Sequence, residues 1–556
     1  TMIKEDFARS PLSKPADLVL HMTEKKYPFS VANAKFRISF FVNNNGEGHA
    51  FSTAIKINEH SDSIKFAKKQ QHVGEISIDK MLVEFDCEVI RPESNQVIIL
   101  SLSWRNFNNN NQYREFIFEL KGQHFNLDWN KLKYEEPYSW EPVDTEERLI
   151  GRREILDRLW TGIKKKGKIS SFYIYGQKRV GKTSIVKTLE SKLIKSLDND
   201  YIVLYLEGGE YKDISLYKTI QSLGEIICSK IKCSDIKFND IEIPKFTGAL
   251  SPLSRFLDRV ATISPTMKIL FILDEFDEIS SDLYKRGEIA DSFFLTIRAI
   301  SNKQNYAFLL VGGEKMDFVI SCQGEQLNKF QSIRVDYFDK ENNWFDFQEL
   351  VRKPVSNILE ISDKALDFLY SNTAGNPFFT IVVCAKLFVI MVERRDTHVT
   401  ELEMEQAIKQ VIKENGTQIF SHFWEDGIKY NEEKEEEVSI IRRKVLISIA
   451  QTIDETSEAR EEQVIDKIVK NGVSENSAVE NLKEFVGRQI LYKTQGMYYF
   501  KINIFRTWLI EKGINEIITT LSDAEKIRHN KIIEEEAYVK SEKIELLKTW
   551  HSYDGK

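Results

Sequence analysis

The chain has 556 residues, enough for three or four domains that each bury a core of their own. Its formal charge of −7 excludes a global basic field that would draw the whole chain to nucleic acid or anionic lipid, and leaves only a local patch for such a role. Five cysteines (Cys87, Cys228, Cys233, Cys322, Cys384) are scattered without metal-ligand spacing, which suits a reducing cytoplasm.

No signal peptide is read in Thr1-Met2-Ile3-Lys4-Glu5, which is charged and lacks an apolar run. Residues 1–143 are predicted all-β. Phe36 to Val42 runs into the turn Asn43-Asn44-Asn45-Gly46; Phe51, Thr53, Ile55 and Ile57 alternate with smaller or polar residues, as do Val83, Phe85, Cys87 and Val89. With Val97 to Trp104 and Phe116 to Leu120, this spacing predicts a β-sandwich of immunoglobulin or fibronectin type. His21, His49, His60, His72 and His124 are dispersed and read as surface or packing residues, so the sandwich is expected to be a binding module rather than a catalytic one. Residues 137–148, with Pro137, Pro142 and four acids, read as a linker.

Residues 144–340 are predicted to form an α/β core with a parallel sheet. Gly151 and Arg152 open it, either as a segment crossing a base and ribose or as a plain loop and helix start. Phe172 to Tyr175 reads as a buried strand. Then comes Gly176-Gln177-Lys178-Arg179-Val180-Gly181-Lys182-Thr183, with Ser184 behind it, and Ile185, Val186, Leu189 and Leu193 follow at helical spacing. The run matches G-x-x-x-x-G-K-[ST] between a strand and a helix, the context that a phosphate-binding loop requires. Backbone N–H groups of such a loop wrap the β-phosphate and the helix adds its dipole. Lys182 places a point charge on the β- and γ-phosphates, and the Thr183 hydroxyl is offered to Mg²⁺.

After the strand Tyr201 to Leu206, Lys268 to Leu273 is a third strand that ends in Asp274-Glu275. An acid at the carboxyl end of a buried parallel strand lies at the ligand crevice. Asp274 is expected to hold Mg²⁺ through water and Glu275 to act as general base toward the attacking water. Asp277 and Glu278 are read as solvent-facing helix starts. Ala307 to Val311 is a fourth strand and Ile333 to Val335 a fifth. Residues 341–430 read as a helical lid broken at Gly375-Asn376-Pro377. Its run Phe378 to Val392 is too short for a membrane span and contains Lys386, so it is read as a buried helix. The charge run Glu432 to Glu437 is a solvated face or linker. Residues 431–515 follow the winged-helix order of three helices and a hairpin, and 516–556 are predicted to be a charged helix.

Together these pieces resemble the STAND-type branch of the AAA+ P-loop ATPases, which includes bacterial and archaeal signalling and anti-phage defence proteins. Gly151-Arg152-Arg153-Glu154 resembles that group's entry motif, the phosphate loop and Asp274-Glu275 its Walker A and Walker B, and Gly375-Asn376-Pro377 the lid G-x-P, whose Pro377 approaches the base. Tyr499 to Leu509 resembles the end of its winged helix. Two departures stand out: Phe378-Phe379 where many members carry a sensor-2 arginine, and Gly312-Gly313-Glu314 at the sensor-1 position. The resemblance implies ATP with Mg²⁺, slow or partner-stimulated hydrolysis, a homo-oligomer or a partner protein docked through the sandwich, and a cytoplasmic protein without a membrane partner. Arg298 is a candidate arginine finger or a helix-surface arginine.

Three readings follow. The first is an ATP-operated switch. The second is a DNA-acting ATPase of origin-recognition or transposition-regulator type; against it, Ser474 to Val486 carries Glu475, Glu480 and Glu484 beside the single Lys483, and an acidic helix repels phosphate. Lys164-Lys165-Lys166-Gly167-Lys168 remains a local basic run. The third is a scaffold that keeps nucleotide without hydrolysing it.

Overall fold

A computed structural model describes residues 14–521 apart from 23–24, 78–79, 109, 123–126, 166, 197–200, 214, 286, 428–431 and 457. His124, Lys166 and the expected C-terminal helix beyond 521 therefore lie outside the described residues. The chain divides into two compact units. One comprises residues 1–140, 340–371 and 378–411; the other comprises 141–339, 372–377 and 412–556.

The first unit opens with nine strands: β1 Leu18–Met22, β2 Lys26–Tyr27, β3 Lys35–Asn44, β4 Ala50–His60, β5 Ile64–Phe66, β6 Gln70–Ile76, β7 Met81–Val89, β8 Asn95–Arg105 and β9 Asn111–Gly122. They form two sheets, β1-β3-β7-β5 and β2-β9-β8-β4-β6, antiparallel but for the short β2–β9 pair. Period-two alternation decides what is buried: Phe36, Ile38, Phe40 and Val42 of β3 and Ile98, Leu100 and Leu102 of β8 point into one shared core. Phe40 of the first sheet meets Phe118 of the second with ring centroids 5.2 Å apart.

The same unit holds helix α7 Trp344–Arg352, α8 Asp363–Thr373 up to Ser371, α9 Pro377–Arg394 from Phe378, the start of α10 Glu401–Phe420, and the parallel strand pair β15 Glu360–Ile361 and β16 His398–Val399. Lys25 joins sheet to helices. Its ammonium, 3% exposed, lies 2.7 Å from Asp396 and also binds Glu403. Glu403 accepts from the Thr400 N–H at 2.9 Å and hydroxyl at 2.6 Å, and Asp396 accepts from the His398 N–H at 3.0 Å. Tyr138, at the start of the expected linker, is buried and donates its hydroxyl to the Val351 carbonyl.

The second unit contains a five-stranded parallel sheet in the order β11 Tyr201–Leu206, β12 Lys268–Leu273, β13 Tyr306–Gly312, β10 Phe172–Tyr175, β14 Gln331–Arg334. Central strands of a sheet covered on both faces read as continuous apolar runs, and β12 and β13 do; Phe271 and Phe308 stack at 4.8 Å in the core. Helix α1 Arg153–Ile163 precedes the strands, and between them run α2 Lys182–Ser196, α3 Leu216–Ser234, α4 Pro252–Ile263, α5 Glu288–Asn302 and α6 Met316–Leu327. The C-terminal part has α11 Glu432–Thr456, α12 Glu461–Lys470, α13 Glu475–Gly487, the hairpin β17 Leu491–Thr494 with β18 Met497–Phe500, and α14 Asn503–Trp508. Ser474 caps α13 by accepting from the Ser477 N–H. Phe420 and Phe423 pack on Trp508 and Phe505 at 4.9 and 4.6 Å. Among the described residues no helix is long and apolar enough to cross a membrane.

Candidate nucleotide site

Sheet register assembles the site. Tyr175 at the end of β10 pairs with Gly312 on one side and Arg334 on the other, while Leu273 of β12 pairs with Leu310 and with Leu206. The loop after β10, the Asp274-Glu275 pair after β12 and Gly313-Glu314 after β13 therefore emerge together at the carboxyl edge, where ligands bind in open α/β sheets.

The loop has the backbone its glycines imply. A Cβ on Gly176 would sit 2.2 Å from the Val335 carbonyl oxygen, and Gly181 has φ +93° with open space around it. Lys182 opens α2 and folds back over the loop, donating to the Gly176 and Gln177 carbonyls at 2.9 and 2.6 Å. Burial pushes its pKa down, against the opposing pull of Asp277 and Asp274. Thr183 follows in the first turn, half-buried, and the Ser184 hydroxyl accepts from the Val143 N–H at 3.3 Å. Val180 is buried and anchors the loop.

Asp274 is 3% exposed and its carboxylate is fixed from two directions: Oδ2 accepts from the Tyr205 hydroxyl at 2.9 Å and Oδ1 from the Glu275 N–H at 2.9 Å. Both oxygens keep a lone pair for a metal-bound water. Glu275 is exposed, in a left-handed backbone conformation at φ +53°, and burial of its surroundings with the nearby Asp274 and Glu207 raises its pKa. A raised pKa in a carboxylate at the mouth suits proton acceptance.

Asp277 does not face solvent, and Glu278 is half-buried. Asp277 is 2% exposed and accepts from the Gly313 N–H at 2.7 Å, locking the turn after β13 to that after β12. A Cβ on Gly312 would lie 2.8 Å from this carboxylate, so a side chain there would displace it. Glu278 pairs with Lys178 at 3.3 Å and Lys315 at 3.8 Å. The reading failed because β12 ends in a 3₁₀ turn that folds inward rather than a helix that projects.

Gly151 and Arg152 both take positive φ, +68° and +63°. The Arg152 guanidinium lies 4.3 Å from the Phe338 ring centroid and donates to the Asp336 carbonyl. Phe338 N–H donates to the Gly375 carbonyl at 2.9 Å, which brings Gly375-Asn376-Pro377 to the same edge. Arg298 is not brought to the loop of its own chain. It lies near the end of α5, four residues before α5 stops and eight before β13 starts, and donates to Gln326 at 3.1 Å.

Sequence reasoning missed the residues that hold the loop. Gln177 donates to the Arg488 carbonyl, Lys178 pairs with Asp426 at 2.8 Å, and Arg179 donates to the Ile419 carbonyl at 2.9 Å. Arg488, just past α13, also pairs through its guanidinium with Glu314. Burial works against the Lys178 charge, yet Asp426 and Glu278 hold its pKa above the ordinary value. Glu314 has its pKa raised by burial in spite of Arg488. A cavity of about 240 Å³ opens beside these contacts, lined by Gly176, Gln177, Glu314, Tyr337 and Arg488. No sequence signal couples positions this far apart.

These features make a mixed α/β unit whose parallel sheet is consistent with a P-loop NTPase core. No protein-family model and no curated protein matches the chain. Among solved structures it is similar to the Walker-type ATPase of Pyrococcus abyssi, with 15% identity over 67% of this chain and 99% of that one and a TM-score of 0.45. It is also similar to the ORC1 protein of Aeropyrum pernix in complex with DNA, with 13% identity over 69% and 98% and a TM-score of 0.39. The Thermotoga maritima RuvB Holliday junction branch migration motor follows at 11% identity over 65% and 96%, with a TM-score of 0.34.

Proposed function

We propose that the chain is an ATP-binding and ATP-hydrolysing molecular switch of STAND or AAA+ type, with a sandwich in 1–143 that docks a trigger or partner, an NTPase core in 144–340, a lid in 341–430 and a winged helix in 431–515. The observation that carries this reading is that three consecutive phosphate-loop side chains, Gln177, Lys178 and Arg179, are each held by residues 419–488. A switch needs contacts that differ between its states. Here the cations a nucleotide would recruit are engaged by the protein's own carboxylates and carbonyls, so an arriving triphosphate competes with the latch.

In this reading Lys182 exchanges its loop carbonyls for phosphate oxygens, Thr183 and the doubly oriented Asp274 hold Mg²⁺, Glu275 takes a proton from the attacking water, and Arg298 reaches the site of a neighbouring copy. Mg²⁺, when bound, neutralises charge on the phosphates. The glycine cradle and the fixed Asp274 carboxylate fit both groups. A role in prokaryotic signalling or anti-phage defence is the biological setting this class suggests.

The test is steady-state hydrolysis and nucleotide binding by Lys182→Ala and Glu275→Gln. The expected result is lost binding in the first, and in the second retained binding with turnover reduced by about 10²-fold or more. Turnover unchanged in Glu275→Gln would leave the scaffold reading standing instead.

A further inference from the structure

Six described lysines gather at the amino-terminal end of the parallel sheet, opposite the phosphate loop. Lys164, Lys165 and Lys168 enter β10, Lys268 begins β12, Lys303 precedes β13 and Lys329 precedes β14. The side chains converge. Lys268 donates to the Lys165 carbonyl at 2.7 Å and to the Tyr201 hydroxyl at 3.1 Å, and Lys164 lies 5.4 Å from the centroid of the same ring. Ile169 N–H donates to the Gln304 carbonyl at 3.2 Å, which ties the lysine loop to the segment that carries Lys303. Lys329 holds Asn302 at 2.9 Å. Burial and the proximity of Lys329 push the Lys168 pKa down.

Among the described residues Asp258, paired with Lys303 at 2.5 Å, is the one carboxylate in ion-pair contact with any of the six. A recess of about 480 Å³ opens beside two of them, lined by Tyr201, Asp258, Thr266, Lys268, Lys303 and Asn305. In a chain of net charge −7 such a surplus runs against the overall balance. Like charges held together favour a polyanion that supplies several phosphates at once. Ala261 and Pro265 line the recess too, and its two ammonium groups with the hydroxyl and amide groups beside them can meet a charged backbone entering a groove.

We propose that this face binds the phosphodiester backbone of nucleic acid, separately from the nucleotide at the other end of the sheet and independently of the switch reading. Recognition would be through charge, without base specificity. Helix α13, the expected reader of a winged helix, plays no part in it.

The experiment is anisotropy of a labelled duplex of about 30 base pairs at about 50 mM salt and above, with the full chain. Lys165→Glu, Lys168→Glu and Lys329→Glu combined should weaken binding by about tenfold or more, and should lower the slope of log K against log salt by about three. Lys483→Glu on α13 should leave both unchanged. The matching triple glutamine variant, which adds no like charge, guards against misfolding and should show the same direction. Duplex binding that survives both triple variants overturns the proposal. So does a wild-type chain that ignores DNA, whether or not it binds vesicles of phosphatidylserine.

Discussion

In the first unit Lys25, Asp396 and Glu403 are between 1% and 4% exposed, and the carboxylates are met by further donors from Thr400 and His398. In the second unit the charges around the phosphate loop are looser. Lys178 is 45% exposed although paired with Asp426, and Arg488, 9% exposed, keeps a buried Nη1 with no hydrogen-bond partner. The two clusters use the same chemistry to different ends. A triad closed on itself has no reason to exchange partners and serves to fix sheet to helices. A cluster with cations left partly unsatisfied at the mouth of a phosphate loop can exchange a carboxylate for a phosphate at little net loss.

The largest expected effect is in the closed triad. Lys25→Met removes the cation that the two buried carboxylates share, and should cost about 3–5 kcal/mol in denaturant unfolding. Adding Asp396→Asn and Glu403→Gln should recover most of that. A loss below about 1 kcal/mol would mean that water already reaches the triad, and the contrast between the clusters would fail.

The latch should respond less in stability and more in ligand affinity. Arg488→Met with Glu314→Gln removes the pair without orphaning either charge. If phosphate and latch compete, ATP should bind about 5–150-fold more tightly, the ordinary span of coupling between two sites. Titration with a fluorescent ATP analogue reads this directly, and an affinity equal to wild type would show that the Arg488–Glu314 pair is no part of the latch.

How much of this was legible in the sequence depends on the range of the interaction. The phosphate loop, Asp274 and the strand that carries it were readable because strand, loop and helix are consecutive, and because buried parallel strands must be apolar throughout. The alternation in β3, β4, β7 and β8 was readable for the same local reason. Asp277 misled because its burial depends on Gly313, in a different loop. Lys25 with Asp396, or Gln177 with Arg488, is separated by some hundreds of residues and leaves no periodic trace. The lysine run at 164–168 was visible as composition, but its meeting with Lys268, Lys303 and Lys329 follows only once the strand order is known.

Protonation separates the clusters in one further way. His422 is 8% exposed; burial first, and then the neighbouring Arg179, Arg488 and Lys178, hold its imidazole well below the ordinary value. The folded chain therefore keeps it neutral where the unfolded chain begins to take up a proton, near pH ~6.5. The stability tied to this group is present above that pH and is lost as pH falls below it, by up to about 1.4 kcal/mol per unit. Glu275, Asp277 and Glu314, with raised pKa values, act in the opposite sense, so the histidine's share is the difference between wild type and His422→Phe. Glu403 is held low, with Lys25 outweighing the cost of its burial, so the triad's contribution is lost only as pH falls below the ordinary carboxylate value of about 4.3. Unfolding measured between pH ~7 and ~5.5 should thus weaken the second unit in wild type, weaken it less in His422→Phe, and leave the triad of the first unit unaffected. Equal pH slopes in the two proteins would show that His422 is not held neutral in the folded chain.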